Sequence, residues 1–208
     1  MYNPGHFEES RAEVLHQLIR EHPLGTLVNR GPEWLDANQL PFELDAAEGT
    51  HGVLRAHVAR ANPLWQTVQD GDEALVVFRA EQAYISPNWY PGKHASHLLV
   101  PTWNYRVVNV HGRIAIRDDE KYVRGLVARL TREHEAGTGD ARPWRMSDAP
   151  PEHIANLLQA IVGIEITVFA MVGKFKLSQN RDTRDRLGAA EELRRRGNAA
   201  LADAMRDA

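Results

Sequence analysis

The chain has 208 residues, of which 43% are hydrophobic and 25% charged, enough for one well-buried globular domain and incompatible with wholesale disorder. Its formal net charge of -3 provides no global basic field of the kind that binds nucleic acid, and the lack of cysteine excludes disulfides, thiolate metal sites and cysteine nucleophiles. Neither a signal-peptide pattern nor a bilayer-spanning apolar run is found, so the sequence predicts a soluble, cytoplasmic protein.

The first half of the chain is predicted to form one helix followed by short strands. Residues 7–21 carry apolar side chains at helical spacing and are followed by Pro23, which stops a helix. Residues 24–29 and 34–44 read as a hairpin, with Pro41 indicating an edge or a bulge. Three further strands are predicted, at residues 52–59, 73–79 and 83–86.

The second half is predicted to alternate long strands with helices. Strands are expected at residues 103–116 and 163–177, helices at 119–135 and 151–162, and a loop at 136–150. Many strands joined by short connections favour an antiparallel barrel over a doubly wound parallel sheet. The predicted fold class is therefore mainly β with peripheral helices (α+β), with a domain at residues 1–181 and a helical tail at 182–208.

The segment VPTWNY places Thr102, Trp103, Asn104 and Tyr105 together on a predicted strand. An amide beside two large amphipathic rings suits a flat heteroaromatic ligand, which needs a stacking surface and directed hydrogen bonds. The alternative is that Trp103 and Tyr105 simply pack in a core or a dimer interface. We interpret the segment as part of a ligand site.

The segment HVARANPLW offers His57, Arg60 and Asn62 to an anionic group such as a phosphate. On an extended strand His57 and Arg60 would point to opposite faces, so they share a ligand only if the strand ends or bulges near Ala59. The alternative for Arg60 is an ion pair with an acidic surface neighbour.

The segment GKFKLSQNR adds Lys174, Lys176 and Ser178, together with Gln179, whose amide can both donate and accept hydrogen bonds. The alternative for the two lysines is a solvated strand edge that resists aggregation. In GKHASH, His94 and His97 lack an accompanying carboxylate pattern, and a flexible loop is favoured over a metal site. No metal-binding or catalytic residue is predicted.

The arginine-rich tail is interpreted as a solvated helix rather than a DNA-binding element. Glu191 and Glu192 precede Arg195 and Arg196 by four residues, the favourable order for ion pairs within a helix. The sequence contains no helix-turn-helix pattern, because the two later helices are separated by a long loop.

The motifs MYNPGHF, HVARANPLW, ALVVF with AYISPNWY, VPTWNY, IVGIEI and GKFKLSQNR occur in this order between residue 1 and about residue 181. This combination resembles the PaiB family of FMN-binding negative transcriptional regulators. The resemblance implies a flavin-binding split β-barrel like that of the pyridoxamine phosphate oxidases, in a homodimer with FMN at the subunit interface.

The resemblance also implies which residues contact the flavin. The strand that includes His57, and the Arg60 and Asn62 that follow, would deliver the phosphate ligands. The strand carrying Tyr84, with Ser86 after it, would approach the ring. The residues Thr102, Trp103, Asn104, Tyr105, Lys174, Lys176, Ser178 and Gln179, chosen from their chemistry, would lie near the ring or the phosphate.

Three functions are carried forward from the sequence. The first is a flavin-binding repressor whose DNA contact, implied by the resemblance only, would need a patch such as Lys121, Arg124, Arg129 and Arg132 on a dimer. The second is a small FMN-dependent oxidoreductase that uses reduced nicotinamide. The third is a dimeric binding module without flavin. No membrane partner is expected.

Overall fold

The structure is a computed structural model that describes residues 1–93 and 98–208, so His94 and His97 lie outside the described residues. The chain divides into two compact units. Unit 1 comprises Met1–Leu18, Arg79–Asn109 and Val172–Ala208, and unit 2 comprises Ile19–Phe78 and Val110–Met171. The predicted boundary at residue 181 stays a prediction.

Helices and strands alternate along the chain. The described α-helices are α1 (Ala12–Glu21), α2 (Leu64–Thr67), α3 (Glu120–Ala136), α4 (Pro151–Gln159), α5 (Thr183–Arg195) and α6 (Ala199–Arg206). The described strands are β1 (Glu8–Glu9), β2 (Leu24–Arg30), β3 (Leu35–Pro41), β4 (Glu43–Asp45), β5 (Val53–Ala59), β6 (Glu73–Ile85), β7 (Thr102–Arg117) and β8 (Ile161–Lys176). Short 3-10 turns occupy Gly5–Phe7, Pro87–Trp89 and Met146–Asp148. No helix in the described ranges has the length and apolar character needed to cross a membrane.

The strands pair in the order β3-β2-β6-β7-β8-β5-β4, and β1 pairs with β8. In unit 2, β5 and β8 are antiparallel, with Val53 opposite Thr167 and Ala59 opposite Ile161. The apolar alternation predicted for residues 163–177 is observed in this part of β8, where Ile164 and Ile166 are fully buried. The predicted antiparallel arrangement is thus confirmed for each strand pair whose register is known.

Several predicted element boundaries were wrong for identifiable reasons. The first helix begins at Ala12 rather than residue 7, because Glu8 and Glu9 pair with β8. The two strands predicted at 73–79 and 83–86 form the single strand β6, whose polar middle includes Glu81, the partner of Arg106 of β7 in an ion pair. The predicted strand at 34–44 is interrupted at Phe42, whose backbone N–H donates to the carbonyl of Pro23.

The two tail helices bury one face within unit 1. Ala189, Leu193, Leu201 and Met205 are buried, so the tail that was interpreted as a solvated helix is solvated only on its other faces. The predicted pair of Glu192 with Arg196 is present at 2.8 Å. The other predicted pair is replaced, because Glu191 accepts from Arg206 of α6 and Arg195 donates to Glu192.

In unit 2, α3 and α4 pack together as the apolar stripes in the sequence predict. Val123 of α3 forms a buried cluster with Ile154 and Leu158 of α4. The Asp119 carboxylate caps α3 by accepting the backbone N–H of Tyr122 at 2.8 Å. The ring of Tyr122 lies over β8, where a Cβ on Gly163 would come within 2.9 Å of it. Glycine is therefore required at this close approach.

A mostly buried ionic network in unit 2 centres on Glu165 of β8, whose side chain is 14% exposed. Its carboxylate accepts hydrogen bonds from Arg55 at 3.2 Å, from Arg117 at 2.7 Å and from the hydroxyl of Tyr122 at 3.1 Å. Burial alone would raise the pKa of Glu165, but the hydrogen bonds and charges of the two arginines outweigh burial and hold that pKa below its ordinary value. Burial, followed by the charge of Glu165, raises the pKa of Tyr122, so its hydroxyl remains a neutral donor.

We predict that Glu165→Gln lowers the free energy of unfolding by about 3 kcal/mol at pH 7, because it removes one partner of a buried ion pair. The pKa of Glu165 is lower in the folded than in the unfolded protein. Its contribution is therefore fully present above the ordinary value of 4.5 and is lost as the pH falls through the folded-state pKa. Urea unfolding of both proteins from pH 7 to pH 3 measures the difference.

The control is Glu120→Gln, which removes an exposed i,i+4 pair with Arg124 and should change stability very little. If Glu165→Gln matched this control at pH 7, or if its deficit did not shrink in acid, the network would not contribute as described.

Candidate functional site

The surface of unit 1 carries an exposed aromatic pair where β6 and β7 supply large rings. Trp103 is 54% exposed and Tyr84 is 47% exposed. Their ring centroids lie 6.3 Å apart at an interplanar angle of 74°. A cavity of about 400 Å³ beside them is lined by Trp103, Tyr105, Arg79 and Gln82, among others. Amphipathic rings left open to solvent provide a stacking surface for a flat ligand.

Lys174, Lys176 and Arg181 belong to unit 1, and no carboxylate pairs with them among the residues that the structure describes. The ammonium of Lys174 donates to the carbonyl of Tyr2 at 2.9 Å and lies 5.9 Å from the ring centroid of Tyr105. Lys176 donates to the hydroxyl of Thr102. The guanidinium of Arg181 lies 5.7 Å from the ring centroid of Tyr90.

The positive charge of this part of unit 1 affects the pKa of Lys176. Burial lowers the pKa of Lys176 first, and the positive charges of Lys174 and Arg181 lower it further. When neighbouring positive charges disfavour the charged form of a lysine, a bound anion or an electron-rich acceptor stabilises that charged form. Among the sequence-predicted site residues of unit 1, the cations without a carboxylate partner are therefore the electrostatic feature that favours a bound anion.

The turn that follows β8 is built around Ser178, the only residue other than glycine with positive φ (+68°) in the described chain. The fully buried amide of Asn104 donates to the hydroxyl of Ser178 at 2.9 Å. The side chain of Gln179 spans the turn, donating to the carbonyl of Phe175 at 2.6 Å and accepting from the N–H of Leu177 at 2.8 Å. A left-handed serine held on both sides fixes the path of the chain toward Arg181.

These contacts give Asn104, Ser178 and Gln179 a role in positioning the turn. Asn104 also lies 3.3 Å from the sulfur of Met205, which belongs to α6. The polar groups of all three residues are engaged inside unit 1, whereas Lys176 and Arg181 are only partly buried. Direct contact of Asn104, Ser178 and Gln179 with a ligand stays a prediction.

In unit 2, Arg60 forms an ion pair with an acidic neighbour, which was the alternative to a role in ligand binding. Its guanidinium binds both carboxylate oxygens of Asp118, at 2.8 and 2.5 Å, and donates to the carbonyl of Gln159 at 2.7 Å. Asn62 is also engaged, donating to Asn38 at 2.8 Å and accepting the N–H of Leu64 at 2.9 Å. Arg60 and Asn62 thus carry protein partners already.

His57 differs from Arg60 and Asn62 in having an unfilled polar atom. Its Nδ1 is buried and has no hydrogen-bond partner in the described structure, and burial lowers the pKa of its imidazole. Such an orphaned group is uncommon in folded proteins and fits an absent ligand or water. The strand β5 ends at Ala59, as the sequence predicted.

The family resemblance also points to Tyr84 of β6 and to Ser86, which follows this strand. Tyr84 is the exposed ring described above. The Ser86 hydroxyl instead accepts the backbone N–H of Asn88 at 3.2 Å, which caps the 3-10 turn Pro87–Trp89. Arg181, the last residue of GKFKLSQNR, was missed by sequence reasoning. Its signal was its place in the same motif as Lys174 and Lys176.

The donor set suits FMN, which combines a flat ring with carbonyl acceptors and a phosphate. Trp103 and Tyr84 have open faces for the ring, and Lys176 and Arg181 carry charge for ring acceptors or phosphate. In unit 2, His57 retains an unfilled polar atom. The residues present therefore fit the cofactor chemically.

Sequence comparisons define the family. A family model described as "Putative FMN-binding domain" matches residues 1–170. A Bacillus subtilis protein named protease synthase and sporulation protein PAI 2 is 29% identical over 210 residues, covering 100% of this chain and 97% of its own length. An uncharacterized protein of Emericella nidulans is 32% identical over 233 residues, covering 96% of this chain and 93% of its own length. The chain belongs to this FMN-binding domain family, which confirms the PaiB resemblance, and FMN is its cofactor.

Comparison with solved structures confirms the fold. The flavocytochrome Anf3 of Azotobacter vinelandii matches with a TM-score of 0.62 and 12% identity, covering 81% of this chain and 69% of that one. The FAD and heme binding protein of Mycobacterium smegmatis matches with a TM-score of 0.58 and 16% identity, covering 88% of this chain and 79% of that one. The predicted split β-barrel with peripheral helices is correct.

Proposed function

We propose that this protein is an FMN-binding, PaiB-like negative transcriptional regulator that holds its flavin at a homodimer interface. The observation that carries the flavin site is the cluster of Lys174, Lys176 and Arg181 without a carboxylate, in the same unit as the exposed rings of Trp103 and Tyr84. The regulatory role is supported by membership in the family and by the Bacillus subtilis relative, which is named for protease synthesis and sporulation.

In this proposal different residues bind the flavin ring and the flavin phosphate. Trp103 and Tyr84 stack on the ring, while Lys176 and Arg181 meet its electron-rich pyrimidine edge. His57, with Arg60 and Asn62, binds the phosphate, as the family resemblance implies. In a homodimer these contacts can come from different protomers. Bound FMN supplies hydride or electron transfer, and a cation beside the pyrimidine edge tunes that chemistry.

We predict that Lys176→Gln weakens FMN binding by at least tenfold, equivalent to about 1.4 kcal/mol, because a charge-assisted contact is lost. Arg60→Ala should weaken it by more than tenfold for the same reason. Lys121→Gln, which removes an exposed lysine of α3, is the matched control and should bind like the unmodified protein. Quenching of flavin fluorescence during titration measures all four affinities.

The two substitutions test the two units separately. Wild-type affinity in Lys176→Gln would remove the unit 1 cations from the site. Wild-type affinity in Arg60→Ala would mean that the pair of Arg60 with Asp118 is purely structural. Arg60→Ala also requires a thermal-melting control, since it deprives Asp118 of its partner.

The homodimer is supported by apolar side chains that unit 1 leaves exposed, namely Leu98, Val100, Trp103 and Tyr84, whose exposed fractions run from 47% to 81%. Large apolar side chains exposed in this way favour an interaction surface. Sedimentation equilibrium should give twice the 23.4 kDa chain mass. A single-chain mass at micromolar concentration in the presence of FMN would exclude the interface proposal.

The DNA contact is assigned to the outer face of α3. Two of its four basic residues are neutralised, because Arg124 pairs with Glu120 at 2.9 Å and Arg129 pairs with Glu43 at 2.5 Å. Lys121 and Arg132 are exposed and have no ion-pair partner in the described part of the chain. These two charges, repeated in a dimer, form the local patch that an otherwise acidic protein needs.

We predict that the double reversal Lys121→Glu/Arg132→Glu weakens binding to the DNA directly upstream of the protein's own gene by at least tenfold and flattens its salt dependence. FMN affinity should be unaffected. The control reversal Arg20→Glu/Arg184→Glu changes the same charge at exposed positions outside α3. Fluorescence anisotropy of labelled DNA at several salt concentrations gives the result.

Equal loss of DNA binding in both reversal variants would contradict the assignment to α3. Oxidation of reduced nicotinamide by a protein that leaves DNA unbound would support the oxidoreductase considered from the sequence.

A further inference from the structure

A second cavity lies in unit 2, between the C-terminal half of α3 and the loop that follows it. Its volume is about 420 Å³. The loop is fastened to the helix where the backbone N–H of Trp144 donates to the carboxylate of Glu135 at 2.9 Å. None of the residues assigned to the FMN site lines this cavity.

The walls of the cavity are largely apolar. Ala128 and Ala136 of α3 line one side, and Pro143, Trp144 and Met146 of the loop line the other. Met146 also packs on the buried cluster of α3 and α4, so the cavity floor continues into the helix-pair core. Trp144 remains 44% exposed. A tryptophan and a proline facing alanines make a slot suited to a flat apolar group.

The rim of the cavity is positively charged. Arg132 and Arg145 line it, and neither forms an ion pair within the residues described. The one carboxylate in the lining is Glu135, which already accepts the N–H of Trp144. Two guanidinium groups and one engaged carboxylate leave a single net positive charge. Guanidinium groups bind carboxylates through paired, charge-assisted hydrogen bonds.

We infer that this cavity binds an aromatic monocarboxylate, with its ring between Ala128 and Trp144 and its carboxylate at Arg132 and Arg145. The inference concerns binding alone and does not depend on the DNA assignment. It adds a second ligand class to a protein whose cofactor is FMN.

The test is calorimetric titration of the full-length, FMN-saturated protein with 1-naphthoate and with its uncharged analogue 1-naphthamide. The wild type should bind naphthoate at least tenfold more tightly than naphthamide. The variant Arg132→Gln/Arg145→Gln should lose at least tenfold in naphthoate affinity and keep its weak naphthamide affinity. The control Arg20→Gln/Arg184→Gln, which removes two exposed arginines elsewhere, should bind both compounds like the wild type.

A second variant, Ala128→Phe, fills the cavity from an exposed helix position, which keeps the risk of misfolding low. It should abolish binding of both compounds while melting at the wild-type temperature. The flavin absorption spectrum should stay constant through every titration, which separates this cavity from the FMN site.

Absence of heat with millimolar naphthoate in the wild type would overturn the inference, as would wild-type affinity in Ala128→Phe. Equal affinity of naphthoate and naphthamide would overturn the assignment of the carboxylate to the two arginines. None of these outcomes bears on FMN binding, which the absorption spectrum follows independently.

Discussion

The proposed flavin site depends on positive charge that has no carboxylate partner in the described part of unit 1. Burial lowers the pKa of Lys176 first, and the positive charges of Lys174 and Arg181 lower it further, so the fold must hold these cations in place. The turn at Ser178 does so, because the buried amide of Asn104 fixes a serine in the left-handed conformation. The cations are therefore in place before a ligand arrives, which lowers the cost of binding.

Several arginines of unit 2 are instead paired with carboxylates. Arg55 and Arg117 converge on Glu165, and Arg129 and Arg60 have carboxylates of their own. Ion pairs of this kind contribute to the stability and strand register of the unit, and the paired groups carry little net charge. Among the cations compared here, the paired ones stabilise the fold, whereas Lys174, Lys176 and Arg181 are the ones proposed to bind the flavin.

Much of the fold was predictable because the periodic signals are local. The stripes of α3 and α4 and the alternation of β8 follow directly from which faces are buried. The start of α1 was not predictable, because Glu8 and Glu9 pair with β8, a strand that lies far away in the sequence. The residues of the proposed site could be chosen from sequence motifs, but the contacts that each residue makes could not be predicted. Only the structure shows that the buried Asn104 donates a hydrogen bond to Ser178 and that the guanidinium of Arg60 is paired with Asp118.

The most direct measurement of the central claim is a crystal structure of the FMN complex. The account predicts that the ammonium of Lys176 or the guanidinium of Arg181 lies within about 3.2 Å of a flavin oxygen or nitrogen, with the ring against Trp103 or Tyr84. Flavin density that contacts neither cation and neither ring would contradict it.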